Sequence, residues 1–213
     1  LFATGKGKVE VLCQIPGQPG GLVFDFSGTL FVGDLRDAAV LRIGKLNEPE
    51  VFVKGFEGKN FSGPQHLAIL KNGDIIFSDP IRAPDSDPGI SSIYRVDKKG
   101  AVTVFVDEIA FPSGIGVSNS GSEVLICEAR ANRLLSFSLD QNFQLKSEKI
   151  VRRFRTAASP NGVAMDVAGN TFVALPGFQA LALVDTQGEL SELYSDPDWK
   201  PTNVAFGGND KQT

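Results

Sequence analysis

Short apolar runs, separated by turns rich in glycine, asparagine and proline, recur along the chain at a regular interval. Five stretches begin with a proline and continue as an apolar run and a polar turn: PGGLVFDFSGTLFVGD, PQHLAILKNGDIIFSDP, PSGIGVSNSGSEVLICEA, PNGVAMDVAGNTFVAL and PTNVAFGGNDKQT. Their prolines are Pro19, Pro64, Pro112, Pro160 and Pro201, so the period is about 41 to 48 residues. A repeat of this length with several short strands predicts β-propeller blades, because a single repeat cannot bury its apolar face alone.

The unit that starts at Pro112 predicts four strands. Residues 114–118 alternate small and apolar side chains, which is typical of an inner strand near a crowded axis. Residues 123–127 form a continuous apolar run, which predicts a strand buried on both faces. Residues 133–139 alternate and predict a half-buried strand, and the polar residues 149–154 predict the outer edge strand.

The two ends of the chain leave two readings of the ring open. The fifth unit stops after one strand, and residues 1–4 and 8–15 have the patterns of a second strand and an outer strand. If these N-terminal strands complete the last blade, the ring has five blades and no free sheet edge. In the competing interpretation the chain is a fragment that lacks about one blade. Either way we expect an all-β propeller, with residues 1–213 as a single domain and a loop insertion at residues 84–89.

Composition narrows the range of partners. The net charge is −4 and both signs are mixed along the chain, which argues against nucleic acid or an anionic membrane as the main partner. No apolar run is long enough to span a bilayer, and the given N-terminus has no signal-peptide pattern. A cytoplasmic location is favoured, with a leader upstream of Leu1 left open. We expect a monomer, or a dimer if the propeller is incomplete.

The two cysteines, the histidine and three strand-opening polar residues are candidates for a functional site. Cys13 and Cys127 lie in apolar strand-like runs, which predicts two buried free thiols, with a disulfide between them as the alternative. His66 is the only histidine, and it is either a metal ligand, a general base or a hydrogen-bonded residue without chemistry. Asn161, Ser113 and Asn203 open predicted inner strands, where such side chains either act at the axis or cap the strand.

A second set of polar residues follows the second strand of each blade. Carboxylates stand where this strand ends, and they either line the channel or bind turn amides: Asp34, Asp79 and Glu128. Arginines come two or three residues later, and they either pair with an acid or bind an anionic substrate: Arg36, Arg82 and Arg130. Phe178 is predicted to cover the channel mouth. There is no nucleophile elbow, P-loop or dinucleotide fingerprint.

The openings PGGL, PQHL, PSGI, PNGVAMD and PTNVAFGG resemble those of the senescence-marker-protein/gluconolactonase family, which contains regucalcin-like and bacterial sugar lactonases. The resemblance covers essentially the whole chain. It implies a six-bladed propeller, which favours the fragment interpretation, and hydrolysis of a lactone at an axial pocket. The run SGIGVSNSGSEVLICEARANRLLSFSL also resembles strictosidine-synthase-like propellers.

The resemblance further implies one divalent cation at the axis (Ca, Mn, Mg or Zn) on oxygen ligands. The family's asparagine position holds Ser113, its aspartate position holds Asn161, and its substrate-contacting Pro-Asn-Asp opening holds Gln65 and then His66. The blade with the family's glutamate has no counterpart in this sequence. Hard cations prefer carboxylate oxygens, whereas these side chains and Asn203 are neutral, so we expect weak or absent metal binding by this chain.

These expectations define the functional hypotheses. The first is a gluconolactonase-like hydrolase of a small-molecule lactone with an eroded metal site. Its catalytic residues would be His66 and Asn161, its substrate residues Gln65, Arg82, Arg130 and Phe178, and its metal ligands Ser113, Asn161 and Asn203. The alternatives are a non-catalytic propeller that binds a ligand or partner, and a strictosidine-synthase-like enzyme.

Overall fold

Antiparallel β-sheets make up the fold in the computed structural model, which describes residues 2–3, 9–44, 48–81 and 90–206. Four sheets have four strands each, and two further sheets have two strands each. The helical structure within the described residues is one 3₁₀ turn at Pro176–Phe178. In this part of the chain no helix is long and apolar enough to cross a membrane.

The strands are numbered here in chain order, and each four-stranded sheet is called a blade. β1 (Phe2–Ala3) and β2 (Val9–Glu10) pair with each other as a separate sheet. Blade 1 consists of β3 (Pro19–Phe24), β4 (Leu30–Asp34), β5 (Ala39–Ile43) and β6 (Pro49–Val53). A hairpin of β7 (Gly55–Phe56) and β8 (Lys59–Asn60) follows. Blade 2 consists of β9 (Leu67–Ile69), β10 (Ile75–Asp79), β11 (Ile90–Val96) and β12 (Val102–Ala110).

The remaining two blades repeat the pattern. Blade 3 consists of β13 (Pro112–Val117), β14 (Glu123–Glu128), β15 (Arg133–Leu139) and β16 (Leu145–Arg153). Blade 4 consists of β17 (Val163–Met165), β18 (Thr171–Leu175), β19 (Ala180–Val184) and β20 (Leu190–Ser195). The strands of each blade are hydrogen bonded in chain order, and β3, β9, β13 and β17 contact one another in sequence. The first strands therefore lie innermost, as in a propeller, and the all-β prediction is confirmed.

The hydrophobic core lies between neighbouring blades, because the central strands bury both faces. In β14, Val124 and Ile126 pack in a cluster with blade 2, whereas Leu125 and Cys127 pack in a cluster with blade 4. A third cluster joins blades 1 and 2 and contains Phe77, which is fully buried. The predicted continuous burial of this second strand is confirmed.

Both cysteines are free thiols, as predicted, but only one is buried. Cys127 is fully buried, and this burial raises the pKa of its thiol. Cys13 is half-buried. With Leu12 and Ile15 it packs against a cluster of buried side chains from β4 and β5 of blade 1. The expectation of burial was therefore wrong for Cys13, because the segment around it covers the side of a blade instead of entering a sheet.

The described residues of the fifth unit, 201–206, lie beside the start of blade 4 but form no strand. The Gly162 amide donates a hydrogen bond of 3.0 Å to the Thr202 carbonyl, and the Phe206 ring packs edge-on against Phe172 at 5.4 Å. The N-terminal strands were predicted to complete the last blade, but among the described residues β1 pairs with β2 alone and residues 11–15 form no strand, because this segment packs on the side of blade 1. The junction of residues 207–213 with residue 1 and the predicted loop at residues 84–89 lie outside the described residues and stay predictions.

Candidate functional site

The openings of successive inner strands are joined by hydrogen bonds around one end of the propeller, which we call the channel mouth. The Gly21 amide donates to the Gln65 carbonyl at 2.5 Å, which links blades 1 and 2. The Ser78 hydroxyl donates to the Ser113 carbonyl at 2.9 Å, which links blades 2 and 3. The Ser113 hydroxyl donates to the Pro160 carbonyl at 2.8 Å, which links blades 3 and 4. The residues that follow Pro19, Pro64 and Pro112, and Pro160 itself, are therefore joined in one series of contacts between neighbouring blades.

His66 and Asn161 meet across the channel mouth, although blade 3 separates their blades along the ring. The His66 Nε2 atom lies 2.9 Å from the Asn161 Oδ1 atom. Because a carboxamide oxygen only accepts hydrogen bonds, Nε2 is the protonated nitrogen and Nδ1 keeps its lone pair. Within the described residues, the His66 side chain has no other hydrogen bond. The structure thus brings together the two residues predicted as catalytic.

Burial keeps the His66 imidazole neutral at physiological pH. The His66 residue is 9% exposed, and desolvation of the charged form lowers the pKa of its imidazole below the usual 6.5. The hydrogen bond to Asn161 acts in the opposite direction and offsets part of this lowering. A neutral imidazole with a free lone pair is the form that accepts a proton in general base catalysis.

A buried serine network holds the His66–Asn161 pair in place. The His66 backbone amide donates to the Ser78 hydroxyl at 3.1 Å, and the same hydroxyl donates to the Ser113 carbonyl. The Ser113 hydroxyl also approaches the Cys127 carbonyl, at 3.2 Å. Sequence reasoning missed Ser78, whose only signal is a single polar residue within the apolar run of β10.

Two glycines allow the inner strands to approach closely enough for this network. A Cβ atom on Gly114 would lie 1.9 Å from the Asn161 carbonyl oxygen. A Cβ atom on Gly162 would lie 2.3 Å from the Asn203 Oδ1 atom. Because real Cβ contacts are never this short, any side chain at either position would push the neighbouring strand openings apart.

The other predicted site residues have different surroundings. Gln65 is half-buried at the mouth, where its backbone amide donates to the Ser78 carbonyl at 2.9 Å. Asn203 is exposed, and its Oδ1 atom accepts the Val204 amide at 2.9 Å, which is a capping role. The Arg130 guanidinium lies 5.2 Å from the centroid of the Phe111 ring.

Phe178, another predicted substrate residue, lies away from the mouth. Phe178 lies in a cavity between the outer strands of blades 3 and 4, and its ring packs against the core cluster there. Arg82 lies outside the described residues.

The carboxylates at the ends of the second strands bind backbone amides. Asp34 Oδ1 accepts the amides of Gln18, Arg36 and Asp37, and Asp79 accepts those of Ser62 and Gly63. Glu128 accepts the Ala110 amide and forms an ion pair with Arg133. Of the two roles that the sequence left open, the turn-binding one is therefore the one observed, and it holds each blade to the connection before it.

The donors at the mouth do not suit a hard divalent cation. Gln65, Ser113, Asn161 and Asn203 offer neutral oxygens, and the described residues contain no group of three or more histidine, cysteine or acidic side chains suited to a metal. The Ser113 hydroxyl donates hydrogen bonds to carbonyl groups, and the Asn161 Oδ1 atom accepts a hydrogen bond from His66. Calcium binding depends on charged carboxylate ligands, which this set lacks.

Residues 3–213 match a family model described as SMP-30/Gluconolactonase/LRE-like region. A gluconolactonase from Zymomonas mobilis is 25% identical over 97% of this chain and 64% of its own length. A pentonolactonase from Haloferax volcanii is 27% identical over 59% of this chain and 44% of its own length. The chain thus spans less than two thirds of the length of either relative.

Two solved structures show the same fold. A gluconolactonase from Xanthomonas campestris has a TM-score of 0.81 at 19% identity, over 94% of this chain and 69% of that chain. A calcium-binding protein, regucalcin, from Agrobacterium tumefaciens has a TM-score of 0.77 at 20% identity, over 92% of this chain and 66% of that chain. These similarities confirm the β-propeller prediction.

Proposed function

The chain belongs to the SMP-30/gluconolactonase/LRE-like family, and from this membership we propose that it hydrolyses a small lactone at the channel mouth. Two relatives are named for lactones of sugars, a gluconolactone and a pentonolactone. A sugar lactone is therefore the substrate class proposed for this chain.

The hydrogen bond between His66 and Asn161 is the observation that carries the proposal. It leaves the His66 Nδ1 lone pair available in a neutral imidazole. This nitrogen takes a proton from a water molecule as the water oxygen bonds to the lactone carbonyl carbon. The carbonyl oxygen becomes a tetrahedral oxyanion, and the proton rests on Nδ1.

Collapse of the tetrahedral intermediate completes the reaction. The carbon–oxygen bond of the ring breaks, and the imidazolium returns its proton from Nδ1 to the departing ring oxygen. The product is a hydroxy acid, and water is the only other reactant, so atoms and charge balance. Asn161 acts as the positioning residue, because its oxygen holds the Nε2–H tautomer and stabilises the imidazolium that forms.

No step of the proposed reaction uses a divalent cation, because the candidate ligands Ser113, Asn161 and Asn203 are neutral and already hydrogen bonded. When present, such a cation polarises the substrate carbonyl and activates water. In this chain Ser113 instead joins blades 3 and 4, and the Asn203 Oδ1 atom accepts the Val204 amide. The predicted metal ligands thus serve in our proposal to shape the site.

The same neutral donor set favours a second candidate, a non-catalytic propeller that binds a small molecule at the mouth. The described carboxylates beside the strand openings, Asp34, Asp79 and Glu128, accept backbone amides, so the mouth keeps its shape and hydrogen-bonding groups but has a weaker base for hydrolysis. This candidate predicts that lactones or their hydroxy acids bind without turnover.

A lactone panel separates the two candidates. The substrates are glucono-δ-lactone, a pentonolactone and an unsubstituted butyrolactone, followed with a pH indicator after EDTA treatment and again with calcium, manganese or zinc added. We expect turnover above the buffer rate for at least one sugar lactone. If no lactone is hydrolysed faster than in buffer under any of these conditions, the hydrolase proposal fails and the binding candidate stands.

A further inference from the structure

A second cavity lies away from the channel mouth, between the outer strands of blades 3 and 4. Its volume is about 300 Å³, at the lower end of the range for small-molecule sites. Apolar side chains and three arginines line it: Phe154, Leu175, Phe178, Leu190, Leu193, Arg152, Arg153 and Arg155. The chemistry proposed for the mouth uses none of these residues.

The walls of the cavity are fixed by direct contact between the two blades. A Cβ atom on Gly188 would lie 2.5 Å from the Val151 carbonyl oxygen, so blade 4 packs closely against β16 at this point. Arg152 Nη1 donates to the Gly188 carbonyl at 3.3 Å and to Glu189 Oε2 at 2.7 Å. The cavity is therefore preformed by the packing of two blades.

One wall of the cavity is apolar. Leu175 is 1% exposed, and Phe154 and Phe178 pack against the core cluster beneath it. Leu190 and Leu193, both on β20, are 40% and 47% exposed, so they present apolar surface that the fold leaves uncovered. Covering this surface with an apolar group would release its hydration water and favour binding.

The rim of the cavity is positively charged, although the protein carries a net charge of −4. Arg152 is paired with Glu189. Arg153 and Arg155 are exposed, and within the described residues neither guanidinium has an ion pair or a hydrogen bond. Two guanidinium groups beside an apolar wall match an oxyanion with an apolar body, since arginine binds carboxylate and phosphate oxygens through paired N–H donors.

We propose that this cavity binds a small amphiphilic anion. Its apolar chain lies against Phe178, Leu190 and Leu193, and its carboxylate or phosphate head group pairs with Arg153 and Arg155. This site is separate from the proposed lactone chemistry, because its lining residues come from β16 and the two residues after it, the end of β18, the 3₁₀ turn and β20, and not from the strand openings at the mouth.

Isothermal titration calorimetry of the intact chain with octanoate and with octyl phosphate tests the proposal, and a difference between the two identifies the preferred head group. Two comparison ligands have the same octyl chain: octan-1-ol, whose head group is uncharged, and octyltrimethylammonium, whose head group is positively charged. The test variant is Arg153→Gln with Arg155→Gln. The matched control is Lys98→Gln with Lys99→Gln, which removes two exposed positive charges from a turn of blade 2.

We expect one saturable site for at least one anion, weakened by about tenfold or more in the arginine variant. The lysine control should bind like the parent chain, and the alcohol and the cation should bind weakly. Because the two arginines are exposed, circular dichroism should show that the arginine variant is folded. If that variant does not fold, Leu193→Asn is tested in its place, and it should weaken octanoate binding. Absence of saturable binding, equal binding of octan-1-ol, or unchanged binding in the variants would overturn the proposal.

Discussion

The side chains of His66 and Asn161 are hydrogen bonded at 2.9 Å although they lie 95 positions apart in the sequence. Blade 3 stands between the blades that carry them, so the contact spans three consecutive blades. Anything that alters the spacing of those blades must change this distance. The pair therefore reports on the geometry of the whole mouth, and each of the first three predictions below perturbs it or its support.

Protonation of His66 should destabilise the fold. Burial lowers the pKa of the His66 imidazole in the folded state, so the unfolded chain binds the proton more readily. Stability should therefore fall as pH drops below about 6.5, the ordinary histidine pKa, and continue to fall until the lower folded-state pKa is passed. Thermal melts of the parent chain and of His66→Gln between pH 7.5 and pH 5 measure this contribution. A parent melt as insensitive to pH as that of the variant would contradict it.

Loss of the Ser113 hydroxyl should loosen the contact between blades 3 and 4. Ser113→Ala leaves the buried Pro160 and Cys127 carbonyls without this donor, and should cost about 1–3 kcal/mol of unfolding free energy in urea titrations. Ser191→Ala is the control, because its hydroxyl also donates to a carbonyl but is exposed. It should cost less than about 0.5 kcal/mol. Equal losses for the two variants would contradict the role assigned to Ser113.

Adding one methyl group at Gly114 should separate the His66–Asn161 pair. The new Cβ atom would lie 1.9 Å from the Asn161 carbonyl oxygen, so the two strand openings must move apart, at about 1–3 kcal/mol. Gly44→Ala is the control, since a Cβ atom there meets nothing within 4 Å. Urea unfolding and lactone turnover should both be reduced by Gly114→Ala and unchanged by Gly44→Ala. A stable, fully active Gly114→Ala variant would show that the close approach is unnecessary.

Divalent cations should stabilise this chain little. A ligand that binds only the folded state raises the melting midpoint appreciably only when its concentration exceeds its dissociation constant, and neutral oxygen donors give low affinity for a hard cation. Melts with calcium, manganese or zinc at micromolar concentration should match melts in EDTA. A rise of many degrees would show that a metal site exists whose ligands differ from the donors described at the mouth.

The strands were predictable from the sequence because their patterns are strong. β15 occupies Arg133–Leu139, the predicted residues, since its side chains alternate. β16 begins at Leu145, four positions before the predicted start, because the hydrogen bonds of the preceding turn end at Gln144. Asp140 Oδ1 accepts the amides of Asn142 and Gln144 there, and pairing starts at once with Leu139 opposite Leu145. The polar residues that follow carry no alternation, so the pattern alone did not extend the strand.

The site was predictable only in part. His66 stood out as the only histidine and Asn161 as the opening residue of its unit, but their contact depends on how three blades pack. The roles of Asp34, Asp79 and Glu128 depend on which backbone amides the preceding connection turns toward them. Ser78 could not be singled out, because one serine in an apolar strand has no distinctive spacing. Periodicity therefore predicts which residues open strands, whereas packing decides which of them touch.

The kinetics of glucono-δ-lactone hydrolysis by His66→Gln test the central claim most directly. Glutamine keeps a donor for Asn161 but removes the basic nitrogen, so kcat/KM should fall by about 10²–10⁴-fold. Asn142→Ala, an exposed turn substitution, should leave kcat/KM unchanged. If His66→Gln instead hydrolyses the lactone as fast as the parent chain does, the His66–Asn161 pair is not the catalytic centre.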